Sequence, residues 1–588
     1  MKIGFLSLPL TGHLNPMTAL ARKLQSRGHE VVFIGVPDIE PVVRAADLDF
    51  VPFCEKEYPP GSVAKSWGGV ANLHGLDVVR YTARELTPGL VKAALEHLPG
   101  KVAETGVNAL ILDTLYRLLE LVPLHLRLPY VQIWNVLHFD FSGSTPLALY
   151  SWRHETSPEA LARNVAGLEI VREIRGPMMP IAQSYAERNG LKIDWSNPAA
   201  TVSKLAVITQ TPKEFDFPIP HLPPQFHYAG PFHDNEGREP VPFPWEKLTG
   251  QPLIYASIGT LVNGLNNVYG TLIDAVSEFP EMQVVLSVGR NFNPGDLGPI
   301  PSNTIVVRSA PQIELLKRAA LCLTHAGLNT ALEALAQGVP MVAIPIGYDQ
   351  PGVAARIAYH GVGEFVEIGN LRARHLSELI AKVKANPNYR DKARWFQKVL
   401  GKTRGLDIAA DIIERVFRER LQAKTFASGD RQIIVATPTT EPEVQSINYE
   451  NKSEWLQTRP GERCLIRISA ADTNGAYSVV EIVSDPGDST PVHIHQNEDE
   501  HFIILEGTAR IASGDEAFDA AAGTAVTLSK GVPHAWCNLS NSPLRMVVTS
   551  TPGGIEEILR LIAKGGDIDI MALSEKFGVR NVGPMLSS

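Results

Sequence analysis

The spacing of apolar residues changes its period once along this chain, and that change limits what the chain can fold into. From Met1 to about Leu421, buried apolar runs alternate with amphipathic helical stretches, the pattern of parallel sheets covered on both faces. From about Cys464 to Ser550, short β-rich segments are separated by Gly and Pro turns, the pattern of an all-β domain. The 588 residues exceed what one core serves, since single cores stop growing at roughly 250–300 residues, and three domains are expected. A Pro-rich stretch, Pro212 to Pro244, reads as the linker between two α/β lobes, and the polar stretch 422–451 as a second linker. The expected divisions are 1–215, 216–421, the linker 422–451, and 452–588, the last ending in a helix and a tail after Gly554.

Charge and cysteine usage exclude several classes. A formal net charge of −9 disfavours nucleic acid as a partner and repels anionic lipid. The opening Met1-Lys2-Ile3-Gly4-Phe5 lacks the long apolar stretch of a secretion signal. The most apolar region, Leu118 to Val136, is broken by Pro123, Arg127 and Pro129, so stable membrane insertion is not expected. Four scattered cysteines without CxxC spacing suit a reduced, cytoplasmic setting.

In parallel sheets, ligands bind beyond the carboxyl ends of strands. Two residues stand out there in the first lobe. The sequence reads as a strand from Lys2 to Leu8, a loop, and a helix from Pro16 to Arg27 capped by Asn15, which puts His13 in the loop. Asp113 ends the apolar run Ala109-Leu110-Ile111-Leu112. If the two strands are neighbours, the carboxylate holds the imidazole in one tautomer while its other nitrogen takes a proton. A histidine that caps a loop and an aspartate that caps a helix fit the same spacing.

The second lobe carries denser information. Ser309-Ala310-Pro311-Gln312 precedes Thr324-His325-Ala326-Gly327-Leu328-Asn329-Thr330-Ala331-Leu332-Glu333, followed by Gly338-Val339-Pro340 and Asp349-Gln350. His325 and Gly327 follow a strand and open a helix, where free N–H groups favour a diphosphate. Asn329 and Thr330 add side-chain donors in the first turn, and Glu333 offers an acceptor for ribose hydroxyls. Asp349 and Gln350 suit a hexose with several hydroxyls.

The segment from Ser309 to Gln350 resembles the donor-binding signature of family-1 glycosyltransferases of the GT-B fold, of the bacterial macrolide and zeaxanthin glucosyltransferase type. Gly12-His13-Leu14-Asn15-Pro16 is similar to the acceptor-side motif of that family, and Ser257-Ile258-Gly259-Thr260 to its phosphate-side loop. The resemblance runs from Met1 to about Leu421 and implies two Rossmann-like lobes and a UDP-sugar donor, UDP-glucose in the first instance. It implies that His13 deprotonates an acceptor hydroxyl, that Asp113 orients it, and that transfer inverts the anomeric carbon in one displacement. Ser257, Gly259, Thr260, Gln312, His325, Gly327, Asn329, Thr330, Glu333, Asp349 and Gln350 then bind the donor. Ser309 stands where plant relatives carry a Trp that stacks on the base, which leaves that contact to other groups. The acceptor is expected to be an apolar small molecule held by the first lobe, where Trp67, Tyr81, Phe139, Phe141 and Trp152 line a pocket or belong to the core.

In the third domain, Gly487, His493, His495, Glu500 and Gly507 follow G-x5-H-x-H-x4-E-x6-G, and Gly523, Gly531, His534 and Asn538 complete a second motif. Residues two apart on a strand share a face, so His493 and His495 project together. Glu500 and His534 can join them around a first-row transition metal. The two motifs resemble those of the cupin superfamily, with Ser529 where Pro is usual. The metal's identity is open, and the domain reads as an oxygenase or isomerase acting on the same small molecule, or as an auxiliary module that forms a homodimer.

Overall fold

Lys2–Leu6 and six later runs form a seven-stranded parallel sheet in the order Asp49–Pro52, Glu30–Gly35, Lys2–Leu6, Ala109–Asp113, Tyr130–Trp134, Val207–Thr209, Phe226–Tyr228. A second, six-stranded parallel sheet runs Thr304–Val307, Gln283–Ser287, Leu253–Ser257, Ala319–Thr324, Met341–Ala343, Gly363–Phe365. Both reverse strand order beside their first strand, the arrangement of doubly wound sheets in which the crevice opens at the reversal. Side chains such as Phe5, Ile111, Ile133, Ile254 and Leu323 are wholly buried, because helices cover both faces. This computed structural model describes residues 1–586 except 221, 235–240, 260–264, 290–291, 293, 428–454, 474, 515, 566–572 and 576. Chain packing divides it into two units, Met1–Gln432 and Ile433–Ser588.

The first helix departs from expectation in an informative way. It runs Thr11–Ser26 with Pro16 inside it, so His13 lies in the first helical turn and Asn15 is not a cap. A proline within a helix removes the hydrogen bond to the carbonyl four residues earlier, here that of Gly12. The Gly12 carbonyl accepts instead from Asn329 Nδ2 at 2.8 Å. The second lobe thus supplies the donor that Pro16 lacks.

Two elements cross the expected boundary at 215/216. Phe226–Tyr228, inside the Pro-rich stretch, is the last strand of the first sheet. The helix Gly405–Ala427 returns to the first lobe, burying Ala409, Ala410, Ile413 and Phe417 in its core while Arg27 pairs with Asp407, Asp411 and Glu414. Local periodicity identifies an apolar helix face but not the core it joins. Of the expected linker, residues 422–427 continue this helix and 428–451 lie outside the described residues.

The second unit contains two antiparallel sheets. One orders Leu456–Arg459, Glu462–Ile468, Ser478–Ser484, Leu544–Thr551, Asp499–Glu506 and Ala525–Leu528; the other orders Glu516–Ala521, Thr508–Ser513, His534–Asn538, Pro491–His495 and Val579–Met585. Phe502, Ile504, Ile511, Trp536, Met546 and Val548 form their shared core. After the helix Glu556–Ala563 the expected tail is in part a strand, Val579–Met585, paired with Pro491–His495. Gly583 and Pro584 hide this strand in the sequence, yet proline is tolerated at a sheet edge, which this strand forms. Among the described residues, no helix is long and apolar enough to cross a membrane.

Candidate active site and metal centre

The strands Lys2–Leu6 and Ala109–Asp113 are hydrogen-bonded neighbours at the reversal point of the first sheet. Their carboxyl ends bring His13 and Asp113 together, with Nδ1 2.7 Å from Oδ2 and both residues buried. Asp113 is held by backbone donors, Leu8 N on Oδ2 at 3.2 Å and Leu115 N on Oδ1 at 3.1 Å. Burial opposes a charge on His13, but attraction to Asp113, their hydrogen bond and the field of Asp349 outweigh it and raise its pKa above the ordinary value of 6.5. The ring is thereby set in one tautomer, with Nε2 as the proton acceptor.

The second sheet reverses between Leu253–Ser257 and Ala319–Thr324. Ser257 and Gly259 follow the first of these strands, and His325 and Gly327 follow the second and precede the helix Leu328–Ala336. A Cβ on Gly327 stands 2.5 Å from His325 Nε2, and one on Gly259 stands 2.8 Å from it. Both positions therefore need glycine, and Gly259 also has φ +83°. Burial pushes His325 down to about 4, so its imidazole is neutral at neutral pH. Its Nδ1 is buried without a hydrogen-bond partner among the described residues. Thr260 lies outside the described residues.

Gln312 organises the next group. Its Nε2 donates to Glu333 Oε2 at 2.7 Å and to Thr330 Oγ1 at 3.3 Å, while its Oε1 accepts from Tyr255 OH at 3.0 Å. Asp349 Oδ2 accepts from Leu137 N of the first lobe at 2.9 Å, and Gln350 Oε1 accepts from Ile346 N at 2.8 Å and Gly347 N at 3.1 Å. Asn329 differs from expectation, because its amide bridges the lobes: Nδ2 donates to Gly12 O and Oδ1 accepts from Gln210 Nε2 at 2.8 Å.

Sequence reasoning missed two groups. Asn135, just past the strand Tyr130–Trp134, is 1% exposed, and neither atom of its amide has a partner among the described residues. Its carbonyl accepts from Gln210 Nε2, and Leu137 two residues on bonds Asp349, so the unpaired amide lies beside the crevice. A polar residue at the carboxyl end of a buried strand was the available signal. The second group is a buried ion pair, Arg356 with Asp216, for which the sequence has no local signal. Of the aromatics, Trp67 packs in the first core, Trp152 stacks on Tyr150 with centroids 4.0 Å apart, and Phe141 is exposed.

In the second unit, His493, His495, Glu500 and His534 each offer a ligand atom within 4.8 Å of the others. His493 Nδ1 donates to Pro491 O at 2.7 Å and His534 Nδ1 to Val532 O at 2.9 Å, which turns both Nε2 atoms inward as metal-type donors. His534 Nε2 is buried without a hydrogen-bond partner among the described residues and stands 3.4 Å from Glu500 Oε2. His495 Nδ1 faces Glu498 Oε2 at 3.6 Å, a carboxylate placed to orient the ring. Three imidazoles and one carboxylate, with an orphaned nitrogen, fit a divalent transition metal.

Two doubly wound sheets whose reversal points bear a buried His–Asp pair and a glycine-lined helix start define the GT-B class of glycosyltransferases. Residues 179–424 match the family described as UDP-glucoronosyl and UDP-glucosyl transferase, and residues 480–550 match the cupin domain. The chain is 28% identical over 422 residues to zeaxanthin glucosyltransferase of Pantoea ananas, spanning 69% of this chain and 94% of the relative. It is 26% identical over 429 residues to demethyllactenocin mycarosyltransferase of Streptomyces fradiae, spanning 70% and 86%. The kitacinnamycin glycotransferase structure superposes with a TM-score of 0.53 at 22% identity, covering 71% of this chain and 99% of that one. SnogD from Streptomyces nogalater gives 0.52 at 22% identity, with 71% and 99% covered; at such identities the likeness establishes the fold. The chain thus has the GT-B fold, matches the UDP-glycosyltransferase family over residues 179–424 and carries a cupin domain at residues 480–550.

Proposed function

We propose that the chain moves a hexose, glucose in the first instance, from a UDP-sugar to a hydroxyl of an apolar small molecule, with inversion at the anomeric carbon. The observation that carries this reading is the 2.7 Å bond between His13 Nδ1 and Asp113 Oδ2 at the crevice. His13 Nε2 takes the acceptor's proton as its oxygen attacks, and Asp113 stabilises the imidazolium that forms. The start of the helix Leu328–Ala336 and the neutral N–H of His325 meet the charge growing on the departing diphosphate. Gln312, Thr330 and Glu333 hold the nucleoside, while Asp349, Gln350 and the unpaired Asn135 amide take sugar hydroxyls. Asn329 closes the lobes over the donor.

A single displacement fixes the product's stereochemistry. With α-linked UDP-glucose and a panel of apolar alcohols and phenols, the expected product is the β-glucoside, read from its anomeric proton coupling. An α-linked product rules out the one-base route.

The cupin site, in this reading, binds a divalent transition metal through His493, His495, Glu500 and His534, and supplies Lewis-acid or redox chemistry when loaded. The domain's auxiliary role is to hold a homodimer. The full chain is expected to elute as a dimer from size-exclusion chromatography and a chain ending at Thr437 as a monomer. An undiminished dimer after truncation discards the cupin as the contact.

A further inference from the structure

Another set of metal-type donors lies within the first unit, outside the residues assigned to transfer. Cys54-Glu55-Lys56-Glu57-Tyr58 follows the strand Asp49–Pro52 and closes a turn in which Tyr58 N donates to Cys54 O at 2.7 Å. His97, on the helix Thr87–Thr105, faces this turn with Nε2 3.2 Å from Glu57 Oε1. One ligand atom from each of Cys54, Glu57 and His97 lies within 4.8 Å of the other two. Cys54 is 3% exposed, whereas the Glu57 and His97 side chains are 43% and 41% exposed. The sulfur is sheltered while its partners stay open to ions from solvent.

The backbone of Cys54 is unusual as well. Cys54 has φ +57°, a left-handed conformation that residues with a Cβ disfavour and that concentrates at functional positions. On coordination the thiol proton leaves to solvent.

We propose that Cys54, Glu57 and His97 bind a zinc-class divalent cation, with water in the remaining position. Thiolate, imidazole and carboxylate together select a borderline-soft ion over magnesium or calcium. With metal–ligand bonds of about 2.0–2.3 Å, tetrahedral ligand atoms stand roughly 3.3–3.8 Å apart. The imidazole and carboxylate already approach that closely, and the exposed Glu57 and His97 close on the sulfur by rotamer changes. The bound ion ties the helix Thr87–Thr105 to the turn after Asp49–Pro52, a cross-link within the first lobe.

Cobalt(II) is the probe, added to the full chain after chelation. The cupin cluster contains no sulfur donor, so a thiolate-to-cobalt charge-transfer band in the near ultraviolet that depends on Cys54 reports this site. The band is expected to appear, to saturate, and to bleach when zinc displaces cobalt. Cys54→Ser is expected to abolish it. His97→Ala and Glu57→Gln, both at exposed positions, are expected to raise the cobalt dissociation constant on the order of tenfold or more, since even outer partners of a metal site typically matter 10–100-fold. Their circular dichroism should match that of the parent chain. Absence of the band in excess cobalt, or its survival unchanged in His97→Ala and Glu57→Gln, overturns the proposal.

Discussion

His13→Ala is expected to lower kcat by on the order of 10²- to 10⁴-fold, the contribution of a positioned base, while calorimetry finds UDP binding unchanged. The asymmetry follows from the lobes: the imidazole belongs to the first, while His325, Gly327 and Gln312 belong to the second. The pH profile adds a separate test. A base must be unprotonated, and Asp113 and Asp349 raise the His13 pKa above 6.5 against burial. In the parent enzyme kcat/KM therefore rises with pH through an acidic limb above that value. Asp113→Asn removes the strongest of the raising effects, leaving burial dominant, so the limb moves to lower pH as the rate falls. Full turnover by His13→Ala would falsify the assignment, and an unmoved limb in Asp113→Asn would detach the aspartate from it.

Breaking the buried pair between Arg356 and Asp216 should produce the largest loss of stability. Arg356 Nη2 lies 2.7 Å from Asp216 Oδ1, with side chains 2% and 1% exposed. Asp216 Oδ2 accepts from Tyr228 OH at 2.5 Å and stands 3.1 Å from His138 Nε2. The guanidinium also lies 4.0 Å from the centre of the Phe217 ring. Burial opposes the charge on Asp216, but Arg356 and then His138 overcome it and hold its carboxyl far below the usual range. Its share of stability is present above the unfolded pKa of about 4 and is lost as pH falls toward the depressed folded value. Arg356→Ala strands a buried carboxylate, a change that costs about 3–5 kcal/mol, read by urea unfolding. Adding Asp216→Asn should restore part of that loss. Arg356 lies on the helix that opens at Gln350, just after Asp349, so the donor KM should rise in the same variant. A change in stability under about 1 kcal/mol, the range of an exposed pair, would show that the charges are not mutually dependent.

Much of the two-sheet architecture was legible because its signals are local. Apolar runs such as Ile254 to Ala256 and Val284 to Leu286 announce strands buried on both faces. The motif from His325 to Gln350 and the paired cupin motifs carry their chemistry at fixed spacing, and spacing survives without coordinates. Pro16 misled for an equally physical reason. Proline suits the first turn of a helix, and only the donor from Asn329, more than three hundred residues away, makes it tolerable farther in.

The sequence by itself determined the order of elements and the residue types available for proton transfer and metal binding, because each depends on neighbours along the chain. Tertiary structure alone decided that Lys2–Leu6 adjoins Ala109–Asp113, that the helix Gly405–Ala427 returns to the first lobe, and that Val579–Met585 pairs with the strand bearing His493 and His495. It also decided that Cys54 meets His97, and that Arg356 finds Asp216 across 140 residues. Such pairings follow from which apolar faces share a core, and a one-dimensional pattern carries no record of that choice.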